Sequence, residues 1–182
     1  MAEKMESYNE KNIIFIGFMG VGKTTVGQIV AEKLSRPFID IDNEIEKAFN
    51  KSIPDIFAED GEAAFREKER ELMRQHCLDR LKVISIGGGA FQNEEIRKIC
   101  MDHAIVIFLD ISWESWRERM DSLVDTRPVL QNSTDDEIKD LFYRRKAVYA
   151  EHHLRIDSDE QSSEEIADYV TKELKHNKSL RN

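Results

Sequence analysis

Gly17-Phe18-Met19-Gly20-Val21-Gly22-Lys23-Thr24 follows the apolar run Asn12–Ile16 and precedes the helical run Val26–Leu34. It matches G-x-x-x-x-G-K-[ST] where the pattern carries meaning, between a strand and a helix. The glycines let the backbone curl so that successive N–H groups point at phosphate oxygens, and the helix N-terminus adds a favourable dipole. Lys23 then brings positive charge to the β- and γ-phosphates of a nucleotide, and Thr24 offers its hydroxyl to Mg²⁺. Gly20, Val21, Gly22, Lys23, Thr24 and Thr25 are the expected nucleotide contacts. The competing reading, a glycine-rich turn that matches by accident, does not account for the flanking strand and helix.

Outward from this loop, β-rich runs at Asn12–Ile16, Phe38–Asp40, Val83–Ile86, Ile105–Leu109 and Leu154–Ile156 alternate with amphipathic stretches. That order predicts parallel strands joined by helical crossovers. Ile13–Ile16 and Ile105–Leu109 are almost continuously apolar, as strands covered on both faces are, so a three-layer α/β domain is expected. Thr134 with Glu137 and Ser162 with Glu165 have capping-box spacing and mark two helix starts. A further helix is predicted over Gly61–Leu81. The polar stretch Asp121–Asp136 has no clear period and is of a length that often forms a lid. The expected layout is one domain over residues 12–176, a mobile lid at about 121–136, and polar tails at 1–11 and 177–182 that lie outside the core.

At 182 residues the chain suits a single domain. Its composition, 40% hydrophobic and 35% charged, contains no apolar run near the ~18 residues a membrane span needs. Met1–Lys11 lacks the basic-then-apolar order of a secretion signal. Cys77 and Cys100 form no C-x-x-C pattern and read as two reduced, partly buried thiols. A cytoplasmic protein is expected, with no membrane partner. The net charge of −9 argues against nucleic acid as a partner, and against such a role for Arg144-Arg145-Lys146.

Asp40 and Asp42, two apart at the end of the second strand, are expected on the same side of its carboxyl edge. One would support the magnesium shell while the other meets the acceptor hydroxyl. For Asp42 alone, capping a helix that begins near Asn43 is the alternative. At 100° per residue, Ile138, Leu141, Phe142 and Tyr149 form one stripe with Arg145 in its middle. Arg145 therefore pairs with an internal carboxylate, faces an anion pocket, or lays its stem along the surface with its head in water. On the predicted helix Gly61–Leu81, Phe65, Leu72 and His76 share a face with Glu69, and Arg66 lies at its edge. His76 reads as a hydrogen-bonded core histidine. Gly87-Gly88-Gly89 follows the third strand, where missing side chains admit a ligand to the backbone, or else form a tight turn. Arg127, in Thr126-Arg127-Pro128, either swings over the phosphates or is a solvated loop arginine.

Taken together, the phosphate loop, Asp40-Ile41-Asp42, Asp60–Glu69, Gly87-Gly88-Gly89, Thr126–Leu130 and Arg145…Tyr149 resemble the shikimate kinase family in order and approximate spacing, over about residues 12–173. The resemblance implies a P-loop kinase fold of the nucleoside monophosphate kinase type, with a five-stranded parallel sheet. It also implies ATP-dependent phosphorylation of the shikimate 3-hydroxyl, a step towards the aromatic amino acids. Carried onto this chain, Arg66 and Arg145 would grip the shikimate carboxylate, while the Gly88 backbone and Asp42 would hold its hydroxyls. Asp42 would be the general base. Thr24, with Asp40 through water, would hold one Mg²⁺, and Lys23 and Arg127 would neutralise phosphate charge. Arg119 and Gln161 sit near the expected adenine contacts, and Val129-Leu130 is a mild departure from the family's leucines. A monomer is expected, since a single-domain site needs no second chain. The rival readings are a kinase of another polyol or sugar acid such as gluconate, and a nucleotide-binding regulator without turnover.

Overall fold

Asn12–Ile16 form strand β1, with every residue buried. The computed structural model describes residues 10–120, 133–177 and 180. After β1 come α1 (Lys23–Leu34), β2 (Phe38–Asp40), α2 (Ile41–Phe49), α3 (Ile53–Glu59) and α4 (Gly61–Leu78). Then follow β3 (Val83–Ser85), a 3₁₀ turn at Ala90–Gln92, α5 (Glu94–His103), β4 (Ala104–Asp110) and α6 (Trp113–Met120). The chain ends with α7 (Asp135–Val148), β5 (Leu154–Asp157) and α8 (Ser163–His176).

All the strand pairs are parallel, in the order β2-β3-β1-β4-β5. Ile13 stands opposite Val83 on one side and Ile105 on the other. All seven residues of β4 are buried, so helices cover the central strands on both faces, as the apolar runs predict. From β1 the chain builds towards β2 and β3, then crosses to β4 and β5 on the other side. The carboxyl end of β1 is therefore the switch point where such sheets bind ligands. Among the described residues no helix is long and apolar enough to cross a membrane.

The predicted boundaries shift in several places. α1 starts at Lys23, three residues before the apolar run Val26–Leu34. α4 ends at Leu78, not Leu81, because Asn12 intervenes: its Nδ2 donates to the carbonyls of His76 (2.9 Å) and Asp79 (2.8 Å). Lys82 N donates in turn to Asn12 Oδ1 at 2.9 Å, which turns the chain into β3. Both capping boxes form as read. Cys77 and Cys100 are reduced but fully buried rather than partly, with their side chains in contact. The polar C-terminal stretch, expected outside the core, sends Leu180 into it.

Candidate active site

The loop between β1 and α1 is shaped by close contacts. A Cβ at Gly17 would lie 2.6 Å from the Leu109 carbonyl oxygen of β4. Gly22 caps α1 at φ 100°, in the left-handed region, and offers no side chain to the first turn. The first-turn amides of α1 thus keep their anion-binding character. Lys23 is buried and lies across the loop, with Nζ donating to the carbonyls of Gly17 (2.8 Å) and Phe18 (3.0 Å). Of the predicted nucleotide contacts, Gly20, Gly22, Lys23 and Thr24 line the cleft beside this loop. Val21 turns into the core and Thr25 is exposed, so neither lines that cleft.

Asp40 and Asp42 both line this cleft, but not by strand alternation. Asp40 ends β2 and caps α2, its Oδ1 accepting from Asn43 N at 3.3 Å, while Asp42 lies in the first turn of α2. The capping role weighed for Asp42 therefore belongs to Asp40. Thr24 Oγ1 donates to Asp40 Oδ2 at 2.8 Å, joining the two groups expected beside a magnesium ion.

A second cleft adjoins the first and shares Met19, Asp42, Gly87 and Gly88 with it. One wall is apolar, from Ile53, Pro54 and Phe57 of α3 and Phe65 of α4. The same cleft carries Arg66, Glu69 and Arg145, with the Arg66 guanidinium over the Phe65 ring at 5.1 Å. Glu69 is 1% exposed and accepts from Arg66 Nη1 at 2.8 Å, so a buried carboxylate aims this arginine, as the helix reading predicts. Burial pushes the Glu69 carboxyl above its ordinary value, against the pull of Arg66. Burial is the strongest influence on Arg66 and works against its charge, but the carboxylates of Glu69 and Glu62 together leave its pKa above the ordinary value.

Arg145 occupies the middle of its apolar stripe, between buried Ile138, Phe142 and Tyr149, with its guanidinium 5.7 Å from the Phe18 ring centroid. Its Nε is buried and has no hydrogen-bond partner among the described residues. Burial pushes the Arg145 pKa below its ordinary value. A partly buried cation that lines a cleft with its Nε unpartnered is set up to receive an anion. Of the three readings of Arg145, the geometry fits the anion pocket.

Space explains the three glycines. A Cβ at Gly87 would lie 2.8 Å from Asp42 Oδ1, one at Gly89 2.9 Å from Arg66 Nη2, and one at Gly88 3.3 Å from Arg145 Nη1. Each glycine thus makes room for a different side chain of the cleft. His76 is a core histidine as read, with Nδ1 3.2 Å from Lys82 Nζ. Arg119 donates to the carbonyl of Ser158, just past β5 (3.3 Å), and Gln161 to that of Asp157, the last residue of β5 (2.5 Å), and neither lines the phosphate-loop cleft. Arg127, in the expected lid, lies outside the described residues.

Sequence reading missed the apolar wall from α3, although Ser52 before Ile53-Pro54-Asp55 is a helix-start signal. It also missed what Phe18 does. That ring packs edge-on against Trp116 and Phe142, tying the phosphate loop to α6 and α7.

A family model described as shikimate kinase matches residues 19–175. A shikimate kinase of Bacillus licheniformis is 56% identical over 91% of this chain and 94% of its own length. The crystal structure of shikimate kinase from Aquifex aeolicus superposes with a TM-score of 0.78 at 35% identity, over 91% of this chain and 97% of that one. Shikimate kinase from Acinetobacter baumannii, solved in complex with shikimate, gives 0.78 at 30% identity over 92% and 94%.

Proposed function

The chain belongs to the shikimate kinase family, and on that premise we propose how its residues divide the work of phosphorylating shikimate with ATP. The observation that carries the reading is the meeting of the two clefts at Asp42, Gly87 and Gly88. A phosphate held by the loop and a ring held against the apolar wall would face each other there. Arg66 and Arg145 bind the shikimate carboxylate, and two aimed arginines give charge-assisted contacts that fix the ring's orientation. The Gly88 backbone and Asp42 hold ring hydroxyls, and the 3-hydroxyl lies at Asp42, which accepts its proton as its oxygen bonds the γ-phosphorus and the bond from that phosphorus to the β–γ bridging oxygen breaks, releasing ADP. Positioning carries most of the rate in such a transfer.

Thr24 and Asp40 fit a magnesium ion shared with phosphate and water, since one hydroxyl and one carboxylate are too few for an all-protein cage. When bound, that ion neutralises charge on the phosphate oxygens. Lys23 leaves the loop carbonyls to reach the phosphates, and Arg127 stabilises the transferring group. We assign residues 12–176 to one domain acting as a monomer, because both clefts are lined by residues of one chain, and we place it in the cytoplasm. ADP release with ATP and Mg²⁺ tests this reading, with shikimate compared against gluconate, nucleoside monophosphates and no acceptor. Stimulation by shikimate alone is expected. Turnover with another acceptor only would overturn the assignment of Arg66 and Arg145.

A further inference from the structure

All three carbonyls of Gly87-Gly88-Gly89 are occupied. Ala90 N donates to Gly87 O at 3.1 Å and Gln92 N to Gly89 O at 3.2 Å, which closes the 3₁₀ turn. Between them, the Tyr149 hydroxyl donates to Gly88 O at 2.5 Å. Among the described residues no acceptor is paired with the amide N–H of any of the three. The turn thus has its acceptors tied into the protein and its donors left over, and Gly88 lines both clefts.

Tyr149 is built to hold its end. It lies four residues beyond Arg145, its amide donates to Arg145 O at 3.2 Å, and its side chain is 1% exposed. Its ring packs on Phe108 at 5.3 Å and Phe91 at 6.4 Å, so the hydroxyl has little freedom. Burial pushes the phenol above its ordinary value, which keeps the proton that the Gly88 carbonyl needs. A trans peptide sends its C=O and N–H in opposite directions. Holding the Gly88 carbonyl towards α7 therefore fixes the direction of the Gly89 N–H. Glycine has the softest backbone of any residue, so a peptide flanked by glycines is the one most in need of an outside clamp.

We infer that Tyr149 is a positioning residue for the acceptor: through its hydroxyl it locks the Gly88–Gly89 peptide so that the free Gly89 N–H, in the lining of the second cleft, meets a ring hydroxyl of the substrate. The inference rests on the assignment of the second cleft to shikimate. Arg145 and Tyr149, one helical turn apart, then set the two ends of the acceptor together, the carboxylate directly and the hydroxyl by way of Gly88.

Tyr149→Phe keeps the ring and removes only the hydroxyl. In steady-state kinetics the KM for shikimate should rise roughly tenfold, the size of one lost hydrogen bond, with the KM for ATP within about twofold of wild type. A purely structural role would move both constants together, and that result, or no change in either, would overturn the inference. Wild-type enzyme with 4-deoxy- and 5-deoxyshikimate supplies a second measurement that needs no variant. One analogue should show the same rise in KM, and that analogue should lose no more on Tyr149→Phe, because the two changes remove one interaction. If both analogues bind wild type as shikimate does, the inference fails. Absence of any shikimate turnover by wild type would instead overturn the substrate assignment on which it stands.

Discussion

Asp42 is reached from both clefts, and the neighbouring glycine leaves it room, since a Cβ at Gly87 would lie 2.8 Å from its Oδ1. On the proposed reading, a carboxylate at that junction meets the acceptor hydroxyl. Asp42→Asn keeps the shape and removes the proton acceptor. Turnover should fall by about a hundredfold or more, the range of a lost general base, while the affinity for ATP stays near wild type. Steady-state kinetics with a nucleotide-binding titration checks this, and an equal loss of ATP affinity would contradict it. The neighbouring Asp40 has a different job, split between Thr24 and the cap of α2. The sequence showed that two acids stood near the sheet edge. It could not show which one capped the helix, because that depends on α2 beginning at Ile41 rather than near Asn43.

Among the elements, those whose signal is local or fully buried were legible. β1 and β4 are apolar because both faces are covered, and α7 and α8 begin at capping boxes written within four residues. The end of α4 was not legible, since it is set by Asn12, 64 residues away from His76 in the chain. Helix α3 escaped because it has seven residues, too few for a periodic pattern, yet it supplies the apolar wall of the second cleft. Gly87-Gly88-Gly89 was readable as a place of close approach, but the approaching groups are Asp42, Arg145 and Arg66, brought there by tertiary packing. Helix α7 joins several of these features. Its Lys146 pairs with the buried Asp110 at the end of β4 (2.7 Å), Arg145 lines the cleft, and Tyr149 at its C-cap bonds the Gly88 carbonyl behind it.

Over the whole molecule, stability depends on pH through His153, which burial holds below its ordinary value while Val106 N donates to its Nδ1, and through His76. Burial, and then the nearby Lys82, holds this imidazole below its ordinary value, against weaker opposing pulls from Glu44 and Asp79. Lys82 Nζ lies 3.2 Å from His76 Nδ1 and can donate only to a neutral ring. The folded pKa lies below the unfolded one, so as pH falls below about 6.5 the unfolded chain takes up the proton first and stability drops. The loss levels off below the folded pKa. Buried Glu69 has the opposite sign, adding stability as pH falls through its raised pKa towards the ordinary carboxylate range. The thermal midpoint should therefore decline between pH 7.5 and 5.5, and His76→Gln should lessen that decline while His153 keeps its share; an unchanged slope in the variant would contradict the part given to His76. The account as a whole depends on a carboxylate held by Arg66 and Arg145 while a hydroxyl faces Asp42. The most direct test compares kcat/KM for shikimate and its neutral methyl ester, in wild type and in Arg145→Ala. The ester should be worse for wild type by at least roughly thirtyfold, the loss expected for one member of a buried charge pair, and the gap should narrow sharply in Arg145→Ala. Equal turnover of acid and ester by wild type would contradict the account.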